Sequence, residues 1–177
     1  MIRAKAIMNR QSLYFWKQMK KFLFGATFAA LSFPALADPL VTVENQPVSE
    51  LWINPGFYSY HFQRDKGLDD TNPGIGVEYR FSSVAAVTAG RFHNSDRQMS
   101  NYAGIYYQPW AIGPARIGAV VGGFDGYPRM RNGGWFLAAI PVVSVEYQRV
   151  GVNFAIVPKY KERLHGALSV QLKFKLM

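Results

Sequence analysis

The chain has 177 residues, 49% hydrophobic and 15% aromatic, with 16 Gly, 10 Pro, no Cys and a formal net charge of +9. That length suits one domain, the apolar share is too high for disorder, and no apolar run is long enough for a helical membrane span. Lack of cysteine excludes a disulfide scaffold, a thiolate metal site and a thiol nucleophile, while the charge points first to a polyanion such as nucleic acid.

The charge is unevenly placed. Residues 1–37 hold Arg3, Lys5, Arg10, Lys17, Lys20 and Lys21 and no acid, so the remainder carries only +3. Lys20-Lys21, an apolar run over 22–33, Pro34 and then Ala35-Leu36-Ala37 follow the grammar of a secretory leader: basic start, apolar centre, small-residue cleavage site. We therefore expect a signal peptide over 1–37, removed before Asp38. Met19-Lys20-Lys21 makes a normal leader start, so 1–18 reads as an over-extended start. The nucleic-acid reading leaves with the leader.

Residues 38–50 carry two prolines and little periodicity, and read as an extended N-terminal arm ahead of a β-barrel domain over 51–177. From Leu51 onward period-two patterns bounded by Gly, Pro and Asn replace any helical stripe. They predict strands over 56–63, 74–81, 84–92, 102–110, 115–124, 136–147, 150–157 and 166–176, most near the roughly 9–11 residues that cross a bilayer when tilted. The connections 64–73, 93–101, 125–135 and 158–165 are long, whereas 82–83, 111–114 and 148–149 are short. Strict alternation of long and short is the topology of an outer-membrane barrel. The expected fold is all-β, an eight-stranded antiparallel up-and-down transmembrane β-barrel, located in the bacterial outer membrane as a monomer.

Side-chain alternation agrees. In the last strand Leu168, Val170, Leu172, Phe174 and Leu176 share one face, and Ser169, Gln171, Lys173 and Lys175 the other. In the second strand Ile75, Val77, Tyr79 and Phe81 oppose Gly74, Gly76, Glu78 and Arg80. Tyr58, Tyr60, Tyr107, Trp110, Trp135 and Tyr147 fall near strand ends, as interfacial aromatic girdles do.

If apolar faces point outward, His61 points inward at the end of the first strand, between the aromatic Tyr60 and Phe62. The same rule turns Phe92 outward and Arg91, His93 and Ser95 inward on the third strand. His61 and Ser95 then share one rim, two strands or roughly 10 Å apart around the wall. A serine activated by a neighbouring histidine base suits acyl transfer. The three histidines, at 61, 93 and 165, lack metal-ligand spacing, and no nucleotide motif is present, so no metal or cofactor is expected.

Several short stretches resemble the PagP family of outer-membrane lipid A palmitoyltransferases. They are Tyr60-His61-Phe62 with Arg64-Asp65-Lys66, Pro73-Gly74-Ile75-Gly76, Asn94-Ser95 followed by Ala103-Gly104, the run 140–147, and Ile156-Val157-Pro158. The resemblance covers most of the chain from Trp52 onward. It implies a barrel that moves an acyl chain, usually palmitoyl, from a phospholipid to lipid A, using a rim His, Asp and Ser and holding the chain in the interior. By this match His61 takes the His role, Ser95 the Ser role, and Asn94 stands at the Asp position as a polar helper. Tyr106 falls where the family has a small residue at the cavity floor. Competing readings are a non-enzymatic barrel that binds lipid or lipopolysaccharide, a deacylase using His93 and Ser95 as a His-x-Ser pair, and a periplasmic lipocalin-like carrier.

Overall fold

The computed structural model describes residues 39–177; the leader expected over 1–37 lies outside the described residues. Its strands are β1 (Val41–Thr42), β2 (Pro47–His61), β3 (Thr71–Ser82), β4 (Ala85–His93), β5 (Met99–Ile112), β6 (Ala115–Phe124), β7 (Phe136–Tyr147), β8 (Val150–Val157) and β9 (Ala167–Lys175). From β2 to β9 each strand pairs antiparallel with the next, and β2 also pairs with β9, so the sheet closes into an eight-stranded barrel. Closure gives each of these eight strands a partner on both sides. Segments 62–70, 94–98, 125–135 and 158–166 gather at one end, and the tight turns 83–84, 113–114 and 148–149 at the other.

Period-two patterning decides which side chains face the interior. On β3, Asn72, Glu78, Arg80 and Ser82 are buried while Ile75, Val77, Tyr79 and Phe81 are exposed. On β9, Ser169, Gln171 and Lys173 are buried while Leu172 and Phe174 face out. The outer surface is therefore apolar, with Leu137 83% exposed and Ile105, Val121 and Ile156 all beyond half. Tyr58, Tyr60 and Trp135 stand exposed towards the long-loop end, and Tyr107, Trp110 and Tyr147 towards the tight-turn end.

The first barrel strand starts at Pro47, nine positions before the 56 expected, so 47–50 of the expected arm belong to the wall. Pro47, Pro55 and a bulge hide this strand. Pairing with β3 shifts register between Asn54 and Gly56, and Gly56 adopts φ +107, where an added Cβ would lie 2.2 Å from the Asn72 carbonyl. Only glycine fits there. The rest of the arm is also placed: β4 begins at Ala85, opposite Tyr107, so the end of β5 projects past it, and β1 pairs with that projection at Trp110 and Ala111. The Val43 N–H donates to the Pro109 carbonyl, and Ser83 exchanges hydrogen bonds with Gln46.

One further irregularity concerns the wall beside the long loops. Pairing between β7 and β8 stops at Val142 and Ala155, although β7 continues back to Phe136. Pro141, at the next position, has no N–H to donate.

The interior has two halves. Towards the tight turns, Arg80 forks onto Glu146 and reaches Glu78 at 3.3 Å and Glu50 at 3.2 Å. Lys173 bridges Glu78 at 2.7 Å and Glu146 at 2.8 Å, and Lys175 meets Glu50 at 2.6 Å. Trp52, 1% exposed, lies under these cations, with Lys173 Nζ 4.7 Å from its ring centroid. A polar chain, Gln108 to Ser144 to Asn153 to Gln171, continues the layer at 2.9, 2.7 and 2.9 Å. Towards the long loops the interior is aromatic: Phe57 meets Phe92 edge-on at 5.0 Å and Tyr102 at 5.6 Å, and Phe124 packs against Tyr102 and Phe136.

Removing one member of such a layer leaves charge buried without its partner. Arg80→Met is expected to cost about 3–5 kcal/mol, because Glu78 and Glu146 then share Lys173 alone. Denaturant unfolding followed by tryptophan fluorescence measures the loss.

Candidate functional site

β2 ends at His61 with its side chain inward and 5% exposed. Its Nδ1–H donates to Asp70 Oδ1 at 2.8 Å, and Asp70 Oδ2 accepts from Arg64 Nη1 at 2.6 Å. The connection 62–70 makes this arrangement. A 3-10 turn over Arg64–Lys66 ends at Gly67 in the left-handed region, and the chain returns so that the Asp70 carbonyl accepts the Ser59 N–H at 2.7 Å. Arg64 also lies over the Tyr60 ring, 5.1 Å from its centroid. With Nδ1 occupied as a donor, Nε2 is the nitrogen left to accept a proton.

Asp70 titrates below its ordinary value of 3.8, first because of the His61 hydrogen bond and then because of Arg64. A lowered carboxyl pKa contributes stability that is complete above 3.8 and fades as pH falls through the lower folded value. Near neutrality the contact is therefore intact.

Ser95 follows the end of β4. Its carbonyl accepts the Asp69 N–H at 3.0 Å, and its Oγ lies 3.5 Å from Asn72 Nδ2, whose stronger bond, 3.0 Å, goes to the His93 carbonyl. Ser95 and His61 line one rim cavity of about 50 Å³ with Asp96, Arg163 and His165. Among the described residues no hydrogen bond joins Ser95 to His61. Beneath lies an apolar cavity of about 100 Å³, bordered by Phe57, Phe92, Tyr102, Tyr106, Phe124, Phe136 and Ile140. The two share Ser59, Tyr127, Val157 and Leu164 as walls, so the lower cavity borders the rim cavity.

Three expectations need revision. Phe92 faces inward and Arg91 outward, the reverse of the parity assigned from sequence. That assignment assumed an apolar side chain must face out, but in this half the interior is aromatic and Phe92 belongs to it. Ser95 still reaches the rim, because the chain leaves the strand after His93; His93 itself does not line that cavity, so the two do not form a His-x-Ser pair there. Asn94, 0% exposed, makes no hydrogen bond to His61 among the described residues. Its Oδ1 accepts the Asp96 and Gln98 N–H groups, and its Nδ2 donates to Ser100 Oγ and the Gly126 carbonyl. All four positions of the amide are taken, so Asn94 shapes the 94–98 loop.

Asp70 supplies the carboxylate sought at position 94. It was hidden because the expected strands end at 63 and restart at 74, which puts residue 70 mid-loop. The actual hairpin pairs Tyr58 with Thr71, and that register carries Asp70 back towards His61. Tyr106 is buried and inward, at the border of the apolar cavity where a floor residue was expected. No family model and no curated protein matches the chain.

Two outcomes follow. In a carboxyl NMR titration, Asp70 should titrate below 3.8 in the wild type, rising more in His61→Ala than in Arg64→Ala. Asn94→Ala should cost about 1–3 kcal/mol by leaving buried partners unpaired, seen as faster proteolysis within 94–98.

Proposed function

We propose that this chain is a PagP-like acyltransferase of the bacterial outer membrane that moves a fatty acyl chain from a phospholipid to lipid A. The observation that carries the reading is the hydrogen-bonded His61–Asp70–Arg64 group, with His61 lining a rim cavity next to an apolar one, inside a barrel with an apolar outer face. That outer face, with exposed aromatics towards both ends, fits a lipid belt. Export by the leader over 1–37 brings the chain to the periplasm, and the long loops then face outside. Arg64, Lys66, Arg97, Arg129, Arg131, Lys159, Lys161 and Arg163 on those loops suit lipid A phosphates. The unpaired stretch of β7 beside Pro141 offers a sideways path between bilayer and cavity.

In this scheme His61 Nε2 takes the Ser95 Oγ proton as Oγ attacks the acyl carbonyl carbon. The ester C–O bond breaks, and the lysophospholipid leaves with that proton. A lipid A hydroxyl then attacks the acyl-serine, giving its proton through His61 to Ser95 as the new ester forms. Asp70 holds the imidazole in the required tautomer and is a positioning residue. Tyr106 limits the length of chain admitted.

A second reading, a barrel that binds lipid without chemistry, is favoured by one observation. The apolar cavity, about 100 Å³, is below the roughly 300 Å³ at which small-molecule sites begin, so a chain enters only by moving side chains.

Mass spectrometry of lipid A from expressing cells decides between them. The wild type should add one acyl chain, His61→Ala and Ser95→Ala should lose about 10²-fold or more in rate, and Tyr106→Ala should shift the added chain to greater length. An unchanged lipid A spectrum, with the barrel shown folded in the outer membrane, removes the transferase reading.

A further inference from the structure

The rim cavity holds a second histidine that the scheme above leaves unused. His165 is 7% exposed and stands two positions before Ala167, which pairs with His61 across β2 and β9. Its Nε2 lies 3.1 Å from Arg129 Nη1. A guanidinium can only donate, so Nε2 must accept, and in the neutral ring the remaining proton sits on Nδ1. Among the described residues that Nδ1 is buried and has no hydrogen-bond partner.

A buried N–H without an acceptor costs about 1–3 kcal/mol, so such a group calls for an occupant or a role, whether a water, an ion, a ligand oxygen or chemistry. The available ligand oxygen follows from the cavities. The lower one is apolar and is parted from the rim only by shared walls that include Tyr127, Val157 and Leu164, so once these side chains give way an alkyl chain seated there brings its polar head to the rim. The first polar atoms of an acyl chain are those of its ester. Leu164, next to His165 in sequence, borders both cavities, which places the ring at the level where chain gives way to head group. A neutral imidazole held by Arg129 offers one directed N–H, suited to a carbonyl oxygen, whereas the phosphate of a head group would be better served by the guanidinium itself.

We propose that His165 Nδ1–H donates to the acyl carbonyl oxygen of a lipid ester bound with its chain in the apolar cavity. The proposal rests on the reading of that cavity as an acyl-chain site and makes His165 a carbonyl-binding residue beside His61 and Ser95. Arg129 is its positioning residue, fixing the tautomer.

The test uses the full mature barrel, labelled with ¹⁵N-histidine and folded in octyl glucoside micelles. His165 should show the Nδ1–H tautomer, lost in Arg129→Ala. Palmitoyl lysophosphatidylcholine should move the His165 Nδ1–H resonance downfield, and hexadecylphosphocholine, with the same chain length and head group but no ester carbonyl, should leave it in place. An Nε2–H tautomer, no shift with the ester lipid, or equal shifts with both lipids would each overturn the proposal; equal shifts would assign the acceptor to phosphate. This readout is independent of turnover. Failure of the wild type to modify lipid A counts against the transferase reading, while the resonance still decides the carbonyl contact. Where turnover is seen, His165→Phe should lower it by about 10²-fold, the loss typical of one carbonyl donor.

Discussion

The charged layer around Arg80, Lys173, Glu78 and Glu146 is the constraint from which the rest of the interior follows. Three carboxylates, counting Glu50, meet three cations, counting Lys175, so the layer is close to neutral and each group has a partner. Such an arrangement adds little stability over an apolar filling of the same shape, but it is costly to leave incomplete. Its consequence is division. A filled, charged section lies on one side and an aromatic half with an apolar cavity on the other. His61, buried beside that half, meets the partly exposed Asp70 at 2.8 Å, where the effective dielectric lies below that of bulk water and strengthens their attraction.

The same division explains how far the sequence could be read. Alternation on β3 and β9 identified both faces correctly, because in the charged half inward means polar and outward means apolar. Loop lengths gave the up-and-down order, since tight turns join strands that pair with each other and the long connections alternate with them. In the aromatic half, apolar residues point both ways, and the rule that separated Leu172 from Lys173 could not separate Phe92 from Arg91. Where the two sides of a wall are chemically alike, periodicity remains but its phase is lost.

The site was legible in part for a related reason. His61 lies one side of a strong polar–aromatic alternation, so its direction was clear. Ser95 reached the rim although its parity argument failed, because loop 94–98 turns it there. Asp70 and the engagement of Asn94 depend on hairpin register and on contacts with Ser100 and Gly126, which are separated from it by a turn and by a whole hairpin. Such partners are set by closure of the fold and leave no local mark in composition.

The arm ahead of β2, with the short strand β1, joins residues far apart along the chain: Val41 lies against Ala111, and Gln46 against Ser83. Its docking surface does not exist until β3, β4 and β5 have formed and the β5 end projects beyond its neighbour. Contacts of such long sequence separation carry a large loop-closure entropy and form late. The arm is thus a latch set after the β3–β5 strands have paired, and a probe placed at Val41 would report their joint assembly where one on any single hairpin would not.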